Sequence, residues 1–183
     1  MRRHLAYAAG AAVLALAGCG GDDPTPQVAD PTPTATVSAS PSASAAVEKE
    51  AWEKKTEAGA IAFAKRWIRL FDEAKSSGDT AELEAVSSDD CKTCQNYISL
   101  TKDIYGNGGS VKSEGWRVLA VSTPNNDSSP TRRVSMRVDQ SPQEIKRSAD
   151  AEAESFPGGE ATFTASVRWA KNGWSMASLD IVE

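Results

Sequence analysis

The sequence of 183 residues predicts an α+β domain, with helices first and an antiparallel sheet after them. Three observations carry this. Between Ala51 and Tyr105, apolar residues recur at spacings of three and four, the period of helices buried on one face. From Trp116 onward the period becomes two, as in strands. Asn172-Gly173 separates the last two alternating runs, and this pair favours a type I′ hairpin because both positions need positive φ.

The chain opens on a segment outside this domain. Arg2 and Arg3 precede Leu5–Ala17, an uncharged apolar run, and small residues follow. This is the layout of a secretory signal over residues 1–18. The run is too short for a bilayer core of about 30 Å, which takes about 20 residues. It ends in Leu16-Ala17-Gly18-Cys19, which resembles the lipobox of bacterial lipoproteins. The resemblance implies cleavage before Cys19, a diacylglyceryl thioether on Cys19, and anchoring to the extracytoplasmic face of the cell membrane. Two acyl chains hold a protein stably where one is marginal, each buried CH₂ contributing about 0.8 kcal/mol.

Residues 19–47 read as the anchor and a tether. Pro24, Pro26, Pro31, Pro33 and Pro41 lie among Ser, Thr, Ala and Asp, with no aromatic residue and no Leu or Ile. Such a stretch has too little apolar surface to offset ordering. As polyproline II it would reach roughly 90 Å, and as a coil about 30 Å. Its plainest role is that of a spacer.

Loss of the signal removes Arg2, Arg3 and His4 and no acid, so the net charge moves from −5 to −7. That argues against nucleic acid as a partner. His4 is the single histidine, so the remaining chain has no imidazole for a metal, a triad or a general base. No cofactor and no metal site are expected.

The globular domain spans residues 48–183 and holds all five tryptophans. Ala51–Lys75 reads as one long helix with Ala60, Phe63, Ala64, Trp67, Phe71 and Ala74 on its buried face. Gly78 is its stop. Asp79 and Glu82 have capping-box spacing for a short second helix that turns Leu83 and Val86 inward. Cys91–Tyr105 reads as a third helix, with Cys94, Tyr97, Ile98 and Thr101 in its stripe and Gly106-Asn107-Gly108-Gly109 ending it. Strands are expected over 116–121, 133–138, 162–169 and 174–181, with a weaker one near 144–148. A turn over Asn125–Pro130 joins the first two, and Pro157-Gly158-Gly159 closes a loop before Thr162.

One long helix, two shorter ones and a curved sheet of four or five strands in meander order resemble the cone-shaped domains related to nuclear transport factor two, the SnoaL-like proteins and the cystatin fold. More narrowly, Gly59-Ala60, Phe63, Trp67, Ser77-Gly78-Asp79, Asp90-Cys91-Lys92-Thr93-Cys94 and Gly173-Trp174 are similar to an actinobacterial lipoprotein family of unknown function. That family brings no activity to carry over. The cone resemblance implies a concavity, for which Phe63, Trp67, Phe71, Tyr97, Trp116 and Trp169 are the lining candidates. The plainer reading of these aromatics is core. Enzymes on this fold usually place an Asp–His pair in the concavity, and this chain has no histidine to supply.

Cys91 and Cys94 remain once Cys19 is lipidated, and outside the cytoplasm a disulfide is the default. A thiol–disulfide oxidoreductase would place Cys-x-x-Cys after a strand. Here the motif follows a helix and the acidic Ser88-Asp89-Asp90, which would raise a thiol pKa. Arg133 and Arg137 share a strand face, and Arg168 lies with Thr162, Thr164 and Ser166, making a candidate basic patch or simply a solvated face. The reading carried forward is a lipid-anchored extracytoplasmic binding or scaffolding domain without catalysis. Its partners would be the membrane, through Cys19, and a cell-wall or membrane-protein component. The alternatives are a small-ligand cone and an enzyme, either a Cys91/Cys94 oxidoreductase or a carboxylate-dependent hydrolase or isomerase.

Overall fold

The computed structural model describes residues 49–124, 130–171 and 173–182. Cys19, the tether at 19–47, Asn172 and nearly all of the 125–130 turn lie outside the described residues.

The first helix begins later than its periodicity predicts. Ala51–Glu53 forms a 3₁₀ turn, and α1 runs from Glu57 to Ser77. Thr56 caps it, its hydroxyl accepting the Gly59 N–H at 3.0 Å. The break comes from close backbone approach, because a Cβ on Gly59 would lie 2.0 Å from the Lys54 carbonyl oxygen. The helix stops at Gly78, whose φ of 83° is the left-handed C-cap. The second helix, α2 (Ala81–Ala85), starts one residue later than expected, with Thr80 as N-cap. Asp79 instead accepts the Ala81 N–H at 3.0 Å, so the predicted capping box does not form around it. Helix α3 (Lys92–Gly106) follows Cys91, whose sulfur accepts the Cys94 N–H at 3.3 Å.

Seven strands follow: β1 Ser110–Ser113, β2 Trp116–Ser122, β3 Thr131–Gln140, β4 Gln143–Lys146, β5 Ala153–Phe156, β6 Gly159–Ala170 and β7 Gly173–Val182. They form an antiparallel sheet β2-β3-β6-β7 and a smaller one, β1-β4-β5. The expected meander is present but bent. Gln140 pairs with Gly159 and, three residues on, Gln143 pairs with Phe156, so β3–β4 and β5–β6 are two long arms interrupted at one level. Ser141-Pro142 and Pro157-Gly158 make the interruption, since proline gives no N–H to the ladder. The β1–β2 arm turns at the same level through Gly115, φ 91°. The weak strand expected near 144–148 is β4, and β1 and β5 are strands that periodicity does not reveal.

Helix α1 packs across one face of the larger sheet. Phe63, Trp67 and Ile68 meet Val134, Met136, Phe163, Val167 and Met176, all essentially fully buried. A side chain of tryptophan size buries about 150–250 Å², or about 4–6 kcal/mol at about 25 cal/mol per Å². Trp67 also donates its indole N–H to Ser87 Oγ at 2.9 Å. Ser87 bridges to Met176, and the Val86 and Ser88 backbones bond Met176, so the α2–α3 loop covers part of the β7 edge. Ile104, Val111 and Ile145 form a second cluster under the smaller sheet. Among the described residues no helix is long and apolar enough to cross a membrane.

Candidate functional site

The bend in the sheet is held by an acid on α1. Asp72 Oδ2 accepts the Trp116 backbone N–H at 2.7 Å, immediately after Gly115. Its Oδ1 stands 3.2 Å from Lys75 Nζ, one helical turn on. Lys75 is 7% exposed, and its ammonium lies 5.1 Å from the Phe71 ring and 5.0 Å from the Trp116 ring. Burial lowers the Lys75 pKa, and the charge and hydrogen bonding of Asp72 oppose that shift. Burial also pushes the Tyr97 phenol up. Phe71, Tyr97 and Trp116 pack as a triad with centroids 4.6, 4.9 and 6.2 Å apart. The cavity they leave beside Lys75 is about 80 Å³. That is far below the roughly 300–1,000 Å³ of ordinary ligand sites. Asp72 and Lys75 were absent from the sequence candidates, although Lys75 stands four residues after Phe71 and eight after Trp67, on the predicted apolar stripe.

The six aromatic candidates do not line one concavity. Phe71, Tyr97 and Trp116 border the small cavity, Phe63 and Trp169 border a different one, and Trp67 is core. The second of these spaces is a groove of about 480 Å³ at the β6–β7 hairpin end of the sheet. Trp52, Trp169 and Trp174 line it with Lys49, Glu53 and Lys171. Trp169 meets Trp174 edge-on at 5.1 Å. Trp174 donates its indole N–H to the Lys54 carbonyl at 3.0 Å, fixing the 3₁₀ turn against β7. Arg66 lies 4.4 Å over the Trp52 ring and pairs with Glu82 at 3.3 Å. The groove therefore joins a turn that precedes α1 to the last hairpin.

Cys91 and Cys94 are disulfide-bonded, with Cα atoms 5.2 Å apart, at the start of α3. Both residues are at most 1% exposed, and access is one of the things that sets the rate of thiol–disulfide exchange. Arg133 and Arg168 share the outer face of the sheet, Arg133 opposite Ser166 and Arg168 opposite Thr131. Arg137 stands on that face too, 3.8 Å from Glu160, and Arg117 pairs with Asp139 at 2.6 Å. Acids thus interrupt the basic patch. Among the described residues no group of three or more His, Cys, Asp or Glu side chains is placed to hold a metal ion.

Residues 40–180 match DUF6318, a family of unknown function, and the chain belongs to that family. No curated protein matches it. Among solved structures, the intermembrane-space region of the chloroplast protein ARC6 superposes with a TM-score of 0.54 at 11% identity, over 70% of this chain and 98% of that one. An NTF2-like protein of unknown function in nutrient uptake from Rhodospirillum rubrum gives 0.45 at 20% identity, over 67% and 98%. An uncharacterized protein with a cystatin-like fold from Caulobacter vibrioides gives 0.43 at 9% identity, over 67% and 89%. The chain has an α+β fold, helices followed by antiparallel sheet, and its likeness to the ARC6 region is one of fold alone.

Proposed function

We propose that this protein is a lipid-anchored binding domain outside the cytoplasm, held to the membrane through Cys19 and contacting its partner with the tryptophan groove. The observation that carries the reading is the groove itself. Its volume of about 480 Å³ falls within the usual range for ligand sites, roughly 300–1,000 Å³. It combines three indoles with exposed charged side chains. The 80 Å³ cavity beside Lys75 favours a filled cone over a small-ligand cone. The buried Cys91–Cys94 bond favours a structural disulfide over a redox centre. No catalysis is assigned, and the partner is sought in the wall or among membrane proteins.

Two measurements test this. Metabolic acyl labelling should be lost in Cys19→Ser. On intact cells, a photo-crosslinking residue at Ala170, on the groove rim, should capture a partner that the same residue at Ser155, on β5, does not. Equal capture from both positions, or none from Ala170, would count against the groove.

A further inference from the structure

We infer that the tryptophan groove takes an acidic sugar chain, an inference that rests on the binding reading above. Charge and shape at the groove point the same way. The chain is acidic overall, at −5, yet two of the three charged side chains lining the groove are cations. Lys49 and Lys171 are both exposed, and the ion pairs of the described residues lie elsewhere. The third, Glu53, is engaged within its own turn, where its Oε2 accepts the Glu50 N–H at 2.8 Å. The groove thus offers two ammonium groups against one carboxylate, beside indole walls, and the ammonium groups stand outside the ion pairs of the described residues.

An apolar occupant would cover those ammonium groups without pairing them, and unpaired buried charge is costly. A run of acidic residues alone would pair them but has no flat apolar ring to set against Trp52 and Trp169. A pyranose ring meets both demands. Its C–H bonds present an electropositive apolar face that suits the negative face of an indole. Its hydroxyls can bond the Ser175 hydroxyl, which also lines the groove. An anionic substituent on the ring forms charge-assisted hydrogen bonds with Lys49 and Lys171.

The test uses the full chain purified in detergent and follows tryptophan emission during titration. The probes are trigalacturonate, neutral maltotriose, and triglutamate, which has the charge without the rings. Trigalacturonate should bind about tenfold or more tightly than either of the others, a difference of about 1.4 kcal/mol. The double variant Lys49→Gln, Lys171→Gln should reduce trigalacturonate to the level of maltotriose. Trp169→Leu should weaken both sugars while the protein stays folded by circular dichroism. Equal binding of maltotriose would overturn the charge argument, and equal binding of triglutamate would overturn the ring argument. If no sugar binds while Ala170 crosslinking still captures a partner, the sugar inference falls and the binding reading stands. If neither occurs, both fall.

Discussion

Asp72→Ala should be among the most damaging single substitutions in the domain, and its cost should depend on pH. The change removes the only acid paired with Lys75 among the described ion pairs and the acceptor of the Trp116 N–H. Breaking a buried pair from one side costs about 3–5 kcal/mol. Lys75 has an escape, because it can lose its proton. From its ordinary value of 10.5, deprotonation at pH 7 costs at most about 5 kcal/mol, and at pH 9 about 2 kcal/mol, at 1.36 kcal/mol per pH unit. The charge-related loss in Asp72→Ala should therefore shrink by up to about 3 kcal/mol between those pH values. The wild type follows the same sign. Its folded-state Lys75 pKa is lowered, so between that value and 10.5 the unfolded chain binds more protons and stability rises with pH. Below the folded value Lys75 is charged in both states and contributes no slope. The assay is urea unfolding of Asp72→Ala, Lys75→Met and the double variant at pH 7 and pH 9, read by tryptophan fluorescence. The double variant should be more stable than the sum of the singles implies by at least about 1.5 kcal/mol. Additivity within about 0.5 kcal/mol, or a pH-independent cost for Asp72→Ala, would refute the account of a buried, mutually dependent pair.

Two further predictions concern the frame around the groove and the start of α3. Gly59→Ala should destabilise by about 1–3 kcal/mol, because its Cβ would displace the Lys54 carbonyl that also receives the Trp174 indole N–H. Thermal melts should show the loss, and quenching of tryptophan emission should rise as the 3₁₀ turn loosens. Replacing Cys91 and Cys94 by Ser should cost about 2 kcal/mol, from the chain-entropy estimate for a loop of four residues. Urea unfolding with and without reductant measures this, and native protein should resist reduction because both sulfurs are enclosed.

Much of this architecture is readable along the chain. The stripe from Ala60 to Ala74 is the buried face of α1, and Cys94, Ile98, Thr101 and Ile104 are the buried face of α3. The alternation of Phe163, Ala165 and Val167 is the core face of β6. Local signals ran out where the chain turns back on itself. Ala51–Glu53 carries on the helical composition, yet contact with Gly59 ends the helix there. Strands β1 and β5 have four residues each, and β5 buries none of them, so neither carries a period-two pattern long enough to read. Their existence follows from pairing with β4. Lys75 was readable in principle, as a cation on an apolar stripe. What stabilises it is Asp72 together with rings from α1 and β2, a combination that spacing does not reveal.

By itself, the sequence determined the order and faces of the principal helices and strands, because periodicity needs only neighbours within a few turns or a few pleats. It also limited the chemistry, by confining histidine to position 4 and leaving one cysteine pair in the globular domain. The tertiary structure decided how the aromatics divide. Trp52 lines one groove with Trp169 and Trp174, more than a hundred residues on, while Phe71, Tyr97 and Trp116 border the small cavity beside Lys75 at the sheet's bend. That division depends on strand register and on where Gly115, Pro142 and Pro157 bend the ladder. These long-range pairings place side chains in contact that no local period relates.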